Sequence, residues 1–148
     1  MANTKPIGVA YQDQELVGST IDNSVIGATT PAAGSFTTIS GTTLSATQLK
    51  LNAPVSKTAS FTLGSTENFI VANGASANVA VTFPTASANT GRIVFIKNLS
   101  GTYTVISASS DVKPVSSDTA GTAILAATAG KWAILVCDGT NWVIMAAG

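Results

Sequence analysis

From residue 58 onward the chain is cut into short apolar runs by turn residues, and this pattern leaves room for strands and little else. Asn78-Val79-Ala80-Val81-Thr82-Phe83 alternates with period two and places Val79, Val81 and Phe83 on one face. Pro84 stops it, because proline cannot donate to a sheet ladder. Ser60–Leu63, Asn68–Ala72, Arg92–Lys97, Thr102–Ile106 and Thr122–Leu125 read as further strands. The clearest pair is Trp132–Cys137 and Asn141–Met145 around Asp138-Gly139, the strongest short-range hairpin signal. Asn73-Gly74 is a second turn pair of that type, and Asn98–Gly101 reads as a hairpin loop. Six or seven strands in about 90 residues match the spacing of an antiparallel sandwich or jelly roll. A polar loop is expected over Ser107–Ser117.

The first half differs. Ile21–Thr38 is rich in turn residues and has four large apolar side chains, Ile21, Val25, Ile26 and Phe36. Gly27, Pro31 and Gly34 would break a helix there, Pro alone by about 3 kcal/mol. So little apolar surface does not offset an ordering cost of about 1–2 kcal/mol per residue. If the segment is ordered, something outside it must cover it, most simply a second copy of the chain or a different protein. Residues 1–20 hold one expected strand, Ile7–Tyr11, and the acidic pair Asp13 and Glu15, and read as an extended arm. Asn52-Ala53-Pro54 marks a boundary, giving an arm over 1–57 and an all-β domain over 58–148.

Composition supports assembly. Charged residues make up 9% of the chain, with seven of each sign and no net charge, against about 25% in an ordinary soluble domain. A lone globule normally carries a charged surface, so this scarcity points to surface buried between subunits. The basic residues are scattered, which disfavours a nucleic-acid partner. No apolar run reaches membrane-spanning length, and Met-Ala-Asn-Thr-Lys-Pro lacks the apolar region of a signal peptide, so synthesis in a cytoplasm is expected.

Catalytic chemistry finds few residues. The chain has no histidine, which removes the commonest general base and metal ligand. Cys137 therefore lacks an activating imidazole, and it reads as a small buried hydrophobe. Asp111 and Asp118 share a serine-rich loop where calcium is conceivable, though turn chemistry explains them as well; Asp13 with Glu15 lacks the further oxygens calcium needs. Gly27–Gly34 lacks the Lys and Ser/Thr of a phosphate loop. A glycosidase would need two carboxylates about 5–9.5 Å apart in a groove, and only seven acids are present. Neither an enzyme nor a cofactor is expected. Trp132 and Trp142 read as core or interface aromatics, neighbours across the strands of the hairpin; the competing reading joins them with Tyr103 in a sugar-binding platform.

Two stretches resemble parts of tailed-bacteriophage structural proteins. Ile21-Asp22-Asn23-Ser24-Val25-Ile26-Gly27-Ala28-Thr29-Thr30-Pro31-Ala32-Ala33-Gly34-Ser35-Phe36-Thr37-Thr38 is similar to a segment of the form IDN-x-x-IG-x-TTPA-x-G-x-FTT in tail fibres and in capsid decoration or head-fibre proteins, those of cyanophages included. More loosely, Ile96-Lys97-Asn98-Leu99-Ser100-Gly101 and Asp138-Gly139-Thr140-Asn141-Trp142 resemble the I-K-N-x-S-G strand and D-G-T-x-W hairpin of small β-modules at phage-fibre ends. The resemblance implies an intertwined homotrimer on the capsid surface, with the major capsid protein as partner and Ile21, Val25, Ile26, Pro31 and Phe36 in arm contacts. A short chain opening on Met1 is expected to suit a decoration (cement) protein. The alternative it implies is a short fibre that attaches to host glycan.

Overall fold

A computed structural model describes Gly41 and residues 43–148. The arm residues Ile21, Val25, Ile26, Pro31 and Phe36, the Ile7–Tyr11 strand and the Asp13/Glu15 pair lie outside the described residues. Of two compact units, Met1–Ser45 and Ala46–Gly148, the second carries every strand described. Its order is β1 (Val55–Lys57), β2 (Phe61–Thr62), β3 (Phe69–Ala72), β4 (Val79–Thr82), a 3-10 turn at Ala86–Ala88, β5 (Ile93–Asn98), β6 (Val105–Ser107), β7 (Val112–Lys113), β8 (Ala123–Leu125), β9 (Trp132–Cys137) and β10 (Trp142–Ala147).

The unit is all-β, with two sheets of mixed strand orientation. One has six strands in the order β1-β3-β5-β9-β10-β7; the other has four in the order β2-β4-β6-β8. From β1 to β6 the chain alternates between the sheets and lays each strand parallel to its predecessor in the same sheet. Val55 pairs with Ile70 and Ile70 with Ile96; Phe61 pairs with Val81 and Val81 with Ser107. The result is three stacked turns of a two-sheet coil. Antiparallel pairing enters at β5 with β9, β9 with β10, and β6 with β8. The fully antiparallel arrangement expected from strand spacing is therefore not what forms.

The cause is visible at β3. Its two sides are taken by β1 and β5, so β4 cannot fold back on it and passes to the other sheet. Asn73-Gly74 consequently makes no hairpin: the Asn73 N–H donates to the Lys57 carbonyl at 2.8 Å, and the chain leaves the sheet there. Gly74 is needed for space, since a Cβ would lie 2.6 Å from the Ala77 carbonyl oxygen. Asn98–Gly101 is likewise a crossing between sheets rather than a hairpin loop. The Asp138-Gly139 hairpin does form. Gly139 has φ of 94°, and Asp138 Oδ1 accepts from the N–H groups of Thr140 and Asn141 at 2.7 and 2.6 Å. Two short strands went unread: β1, inside the expected arm, and β7, inside the expected polar loop.

Inward side chains from both sheets join one buried cluster, including Ile70, Val79, Val81, Val94, Ile96, Val105, Leu135, Trp142 and Ile144. Asn98 is buried among them with its polar atoms satisfied. Its Nδ2 donates to the carbonyls of Tyr103 and Ala126, both at 2.9 Å, and its Oδ1 accepts from the Ser100 N–H at 3.0 Å. Ser100 Oγ then accepts from the N–H groups of Thr102 and Tyr103. The Asn-x-Ser spacing thus supplies partners for a backbone that leaves one sheet for the other.

Candidate interaction surface

The outward face of the six-stranded sheet is unusual in what it presents. Alternation along β3, β5 and β9 turns Ile70, Ala72, Val94, Ile96, Ala133 and Leu135 into the core. The opposite parity carries Phe69 and Val71; Ile93, Phe95 and Lys97; and Trp132, Ile134 and Val136. Lys97 is the one charge among these eight. Ile93 is 47% exposed, Phe95 36% and Trp132 42%. The other sheet turns out Thr62, Ala80, Thr82 and Ile106, which are smaller and more polar. Apolar patches of this kind, left open in a soluble protein, mark contact surfaces.

Cross-strand pairing assembles the patch. Phe69 lies opposite Phe95, Phe95 opposite Ile134, and Lys97 opposite Trp132. The Phe69 and Phe95 rings stack with centroids 4.9 Å apart and planes 20° apart. Between these side chains lies an apolar depression of about 270 Å³, with Pro54, Val71, Trp132 and Ile134 also on its walls. At the edge of the sheet, Lys57 spans inward groups: its Nζ is 2.6 Å from Glu67 Oε1 and 4.7 Å from the centre of the Phe61 ring. The Lys57 ammonium, with the Gly64 N–H, holds the Glu67 carboxyl below its ordinary value.

The two tryptophans part company. Trp142 is fully buried, stacks on Phe83 at 4.8 Å and donates from Nε1 to the Pro84 carbonyl at 3.4 Å. Trp132 stands on the outward face. They are not opposite one another, since Trp142 pairs with Cys137, and Trp132 exchanges backbone hydrogen bonds with Gly148 at the far end of the hairpin. Trp142 therefore cannot belong to a sugar platform; Tyr103 lies in the crossing between the sheets, where its backbone carbonyl accepts from Asn98 Nδ2.

The remaining candidates are engaged locally. Asp111 accepts a hydrogen bond from Ser107 Oγ, while Asp118 pairs with Lys113 Nζ at 2.9 Å. Lys113 is raised above its ordinary value, chiefly by Asp118; Asp138 is lowered, chiefly by the Asn141 N–H that it accepts. No cluster of three His, Cys, Asp or Glu side chains able to hold a metal occurs among the described residues. Cys137 is buried, with Sγ 3.2 Å from the Ala86 carbonyl oxygen. No helix among them is long and apolar enough to cross a membrane.

Sequence reasoning missed Phe69, Phe95 and Ile134 as a surface. A signal was present: Ile93-Val94-Phe95-Ile96 and Ala133-Ile134-Leu135-Val136 are apolar at both parities, the mark of strands covered on both faces. The chain matches no protein-family model and no curated protein.

Proposed function

We propose that the chain is a non-enzymatic virion structural protein: a homotrimeric decoration (cement) protein of a tailed phage that binds the major capsid protein and stabilises the shell. The observation that carries this reading is the outward face of the six-stranded sheet, where eight residues carry a single charge. Such a face in a chain with 9% charged residues asks for a protein cover. The phage-like segment at Ile21–Thr38 supplies the biological setting. In this reading the two sheets pack as a sandwich, three copies meet through their apolar faces, and the N-terminal arm grips the capsid. A short tail or head fibre that attaches to host glycan is the second reading, favoured by the exposed ring of Trp132 beside Lys97.

Light scattering of the purified chain, followed by cryo-EM of particles with and without it, tests the proposal. A trimer of about 44 kDa, three times 14.8 kDa, distributed over the capsid is the expected result. A trimer confined to the tail or one vertex would move the assignment to the fibre. A monomer that binds neither would end the assembly reading. Deletion of residues 1–40 is expected to abolish capsid binding, and binding that survives it rules out the arm as anchor.

A further inference from the structure

Of the chain's asparagines, Asn73 alone is followed by glycine. The peptide nitrogen after an asparagine can attack that residue's side-chain amide carbon, and glycine, lacking a Cβ, leaves the nitrogen unshielded. The surroundings single out Asn73 a second time. Asn52 and Asn89 donate from Nδ2 to the carbonyls of Thr66 and Thr85, Asn78 Oδ1 accepts from the Thr104 N–H, and Asn98 is held at three points. Asn68 and Asn141 precede Phe69 and Trp142, whose side chains crowd the attacking nitrogen. Asn73 is exposed, and among the described residues neither its side chain nor the Gly74 N–H has a hydrogen-bond partner. Asp138-Gly139 differs on both counts: Asp138 Oδ1 is fixed by the Thr140 and Asn141 N–H groups, and a carboxylate is a poor target for the attack.

We propose that Asn73 is a self-modification site, converted to aspartate and isoaspartate by the Gly74 nitrogen and water. The nitrogen bonds to Asn73 Cγ and closes a five-membered succinimide. The Cγ–Nδ2 bond breaks, and ammonia leaves with the proton that the Gly74 nitrogen gives up. Water then opens the ring. Opening at Cγ gives aspartate; opening at the main-chain carbonyl gives isoaspartate, whose main chain runs through Cβ and Cγ and is one atom longer. The position makes that atom matter. The Asn73 N–H donates to the Lys57 carbonyl at 2.8 Å and the Ala75 N–H to the Thr58 carbonyl at 3.2 Å, so the altered linkage lies between two bonds that tie the crossing to the end of β1. Gly74, between them, is closely packed: a Cβ there would lie 2.6 Å from the Ala77 carbonyl oxygen and 3.1 Å from Tyr103 Cβ. An extra main-chain atom between two fixed points opens one of the two bonds, whereas aspartate leaves both in place. Either product adds a negative charge to a chain with no net charge.

The full chain is aged in warm, mildly alkaline buffer, sampled over time, digested and sequenced by mass spectrometry. Amide loss at Asn73 is expected to lead that at every other asparagine by about tenfold or more, at a rate that rises with pH as the attacking nitrogen loses its proton more readily. Isoaspartate is counted with a protein-isoaspartate methyltransferase. The melting temperature should fall in step with it, by about 4–8 °C at full conversion, the shift that one lost hydrogen bond produces in a domain of this size. Asn73→Gln is the control. Its side chain is exposed, so the variant should fold as the wild type does, and the six-membered ring that glutamine would close forms far more slowly. Aged Asn73→Gln should therefore keep its melting temperature. Fresh Asn73→Asp, melting as fresh wild type does, would assign the loss to the added atom rather than to the added charge. Amide loss that begins at another asparagine, or that starts only after unfolding in denaturant, overturns the assignment. Equal losses of stability in aged wild type and aged Asn73→Gln would overturn it as well.

Discussion

Asn98→Ala removes a side chain that makes three hydrogen bonds at the crossing between the sheets. The Ala126 carbonyl keeps a partner, the Thr128 N–H at 2.8 Å. The Tyr103 carbonyl and the buried Ser100 N–H lose theirs. Leaving a buried polar group without a partner costs about 1–3 kcal/mol, so two such groups give a loss of about 3 kcal/mol, within a span of 2–6. For a domain near 100 residues this lowers Tm by about 12 °C. Urea unfolding followed by Trp142 fluorescence measures it, with an unchanged m-value showing that the native state is otherwise intact. Asn98→Asp provides the control. It keeps the acceptor for Ser100 but, when ionised, points an oxygen at two carbonyl oxygens. Burial and those carbonyls raise its folded pKa above an unfolded value near 3.9. The ionised form is therefore penalised in the folded state above that value, and the penalty disappears below it. Asn98→Asp should be worse than Asn98→Ala at pH 7 and should recover as pH falls toward about 4. A change under about 0.5 kcal/mol for Asn98→Ala, or a pH-independent deficit for Asn98→Asp, would refute the account.

Further outcomes follow from the same geometry. Trp142→Ala should cost about 3–5 kcal/mol, because it empties the centre of the core, whereas Trp132→Ala should leave the unfolding free energy of a dilute monomer within about 1 kcal/mol of wild type; equal losses in urea melts would show the burial assignment to be mistaken. Glu67 has a depressed folded pKa, chiefly from Lys57, so its contribution is present above 4.5 and lost as pH falls through the folded value. Glu67→Gln should therefore be less stable than wild type at pH 7 and show a shallower acid loss below 4.5, read from melting curves across that window. Cys137 should resist a thiol reagent in the native state and react fully in denaturant; rapid native labelling would contradict its burial.

How much of this was legible in the sequence depends on how local each decision is. The β9–β10 hairpin could be read because Asp138 and Gly139 make its turn with their own atoms. Most strand segments could be read because alternation such as Val79-Ala80-Val81 needs no knowledge of partners. Parallel pairing could not, because Val55, Ile70 and Ile96 meet only after the chain has passed through the other sheet. Asn73-Gly74 misled for the same reason: its local preference was overruled by the occupancy of both sides of β3. The outward apolar face was half legible. Apolar residues at both parities of β5 and β9 gave strands apolar on both faces, while the stacking of Phe69 on Phe95 depended on register alone. The arm residues Ile21, Val25, Ile26, Pro31 and Phe36 lie beyond the described residues.

The coil of β1 to β6 also sets an order of events in folding. A hairpin closes in about 1–10 μs, and β9–β10 is the piece of the six-stranded sheet that forms from neighbours in the chain. β5 must find β9 across the segment that carries β6, β7 and β8, and β3 and then β1 are expected to be laid down on what is already there. Non-local pairing of this kind is slow. Among the described residues β1 pairs on one side only, with β3, so it is expected to join the parallel part of the sheet late and to open early. Native-state hydrogen exchange should find β1 opening at lower free energy than β5 and β9. A chain tethered through the residues before Val55 would therefore feel any pull at its least protected strand, and would yield there by one rung before the core of the sheet is disturbed.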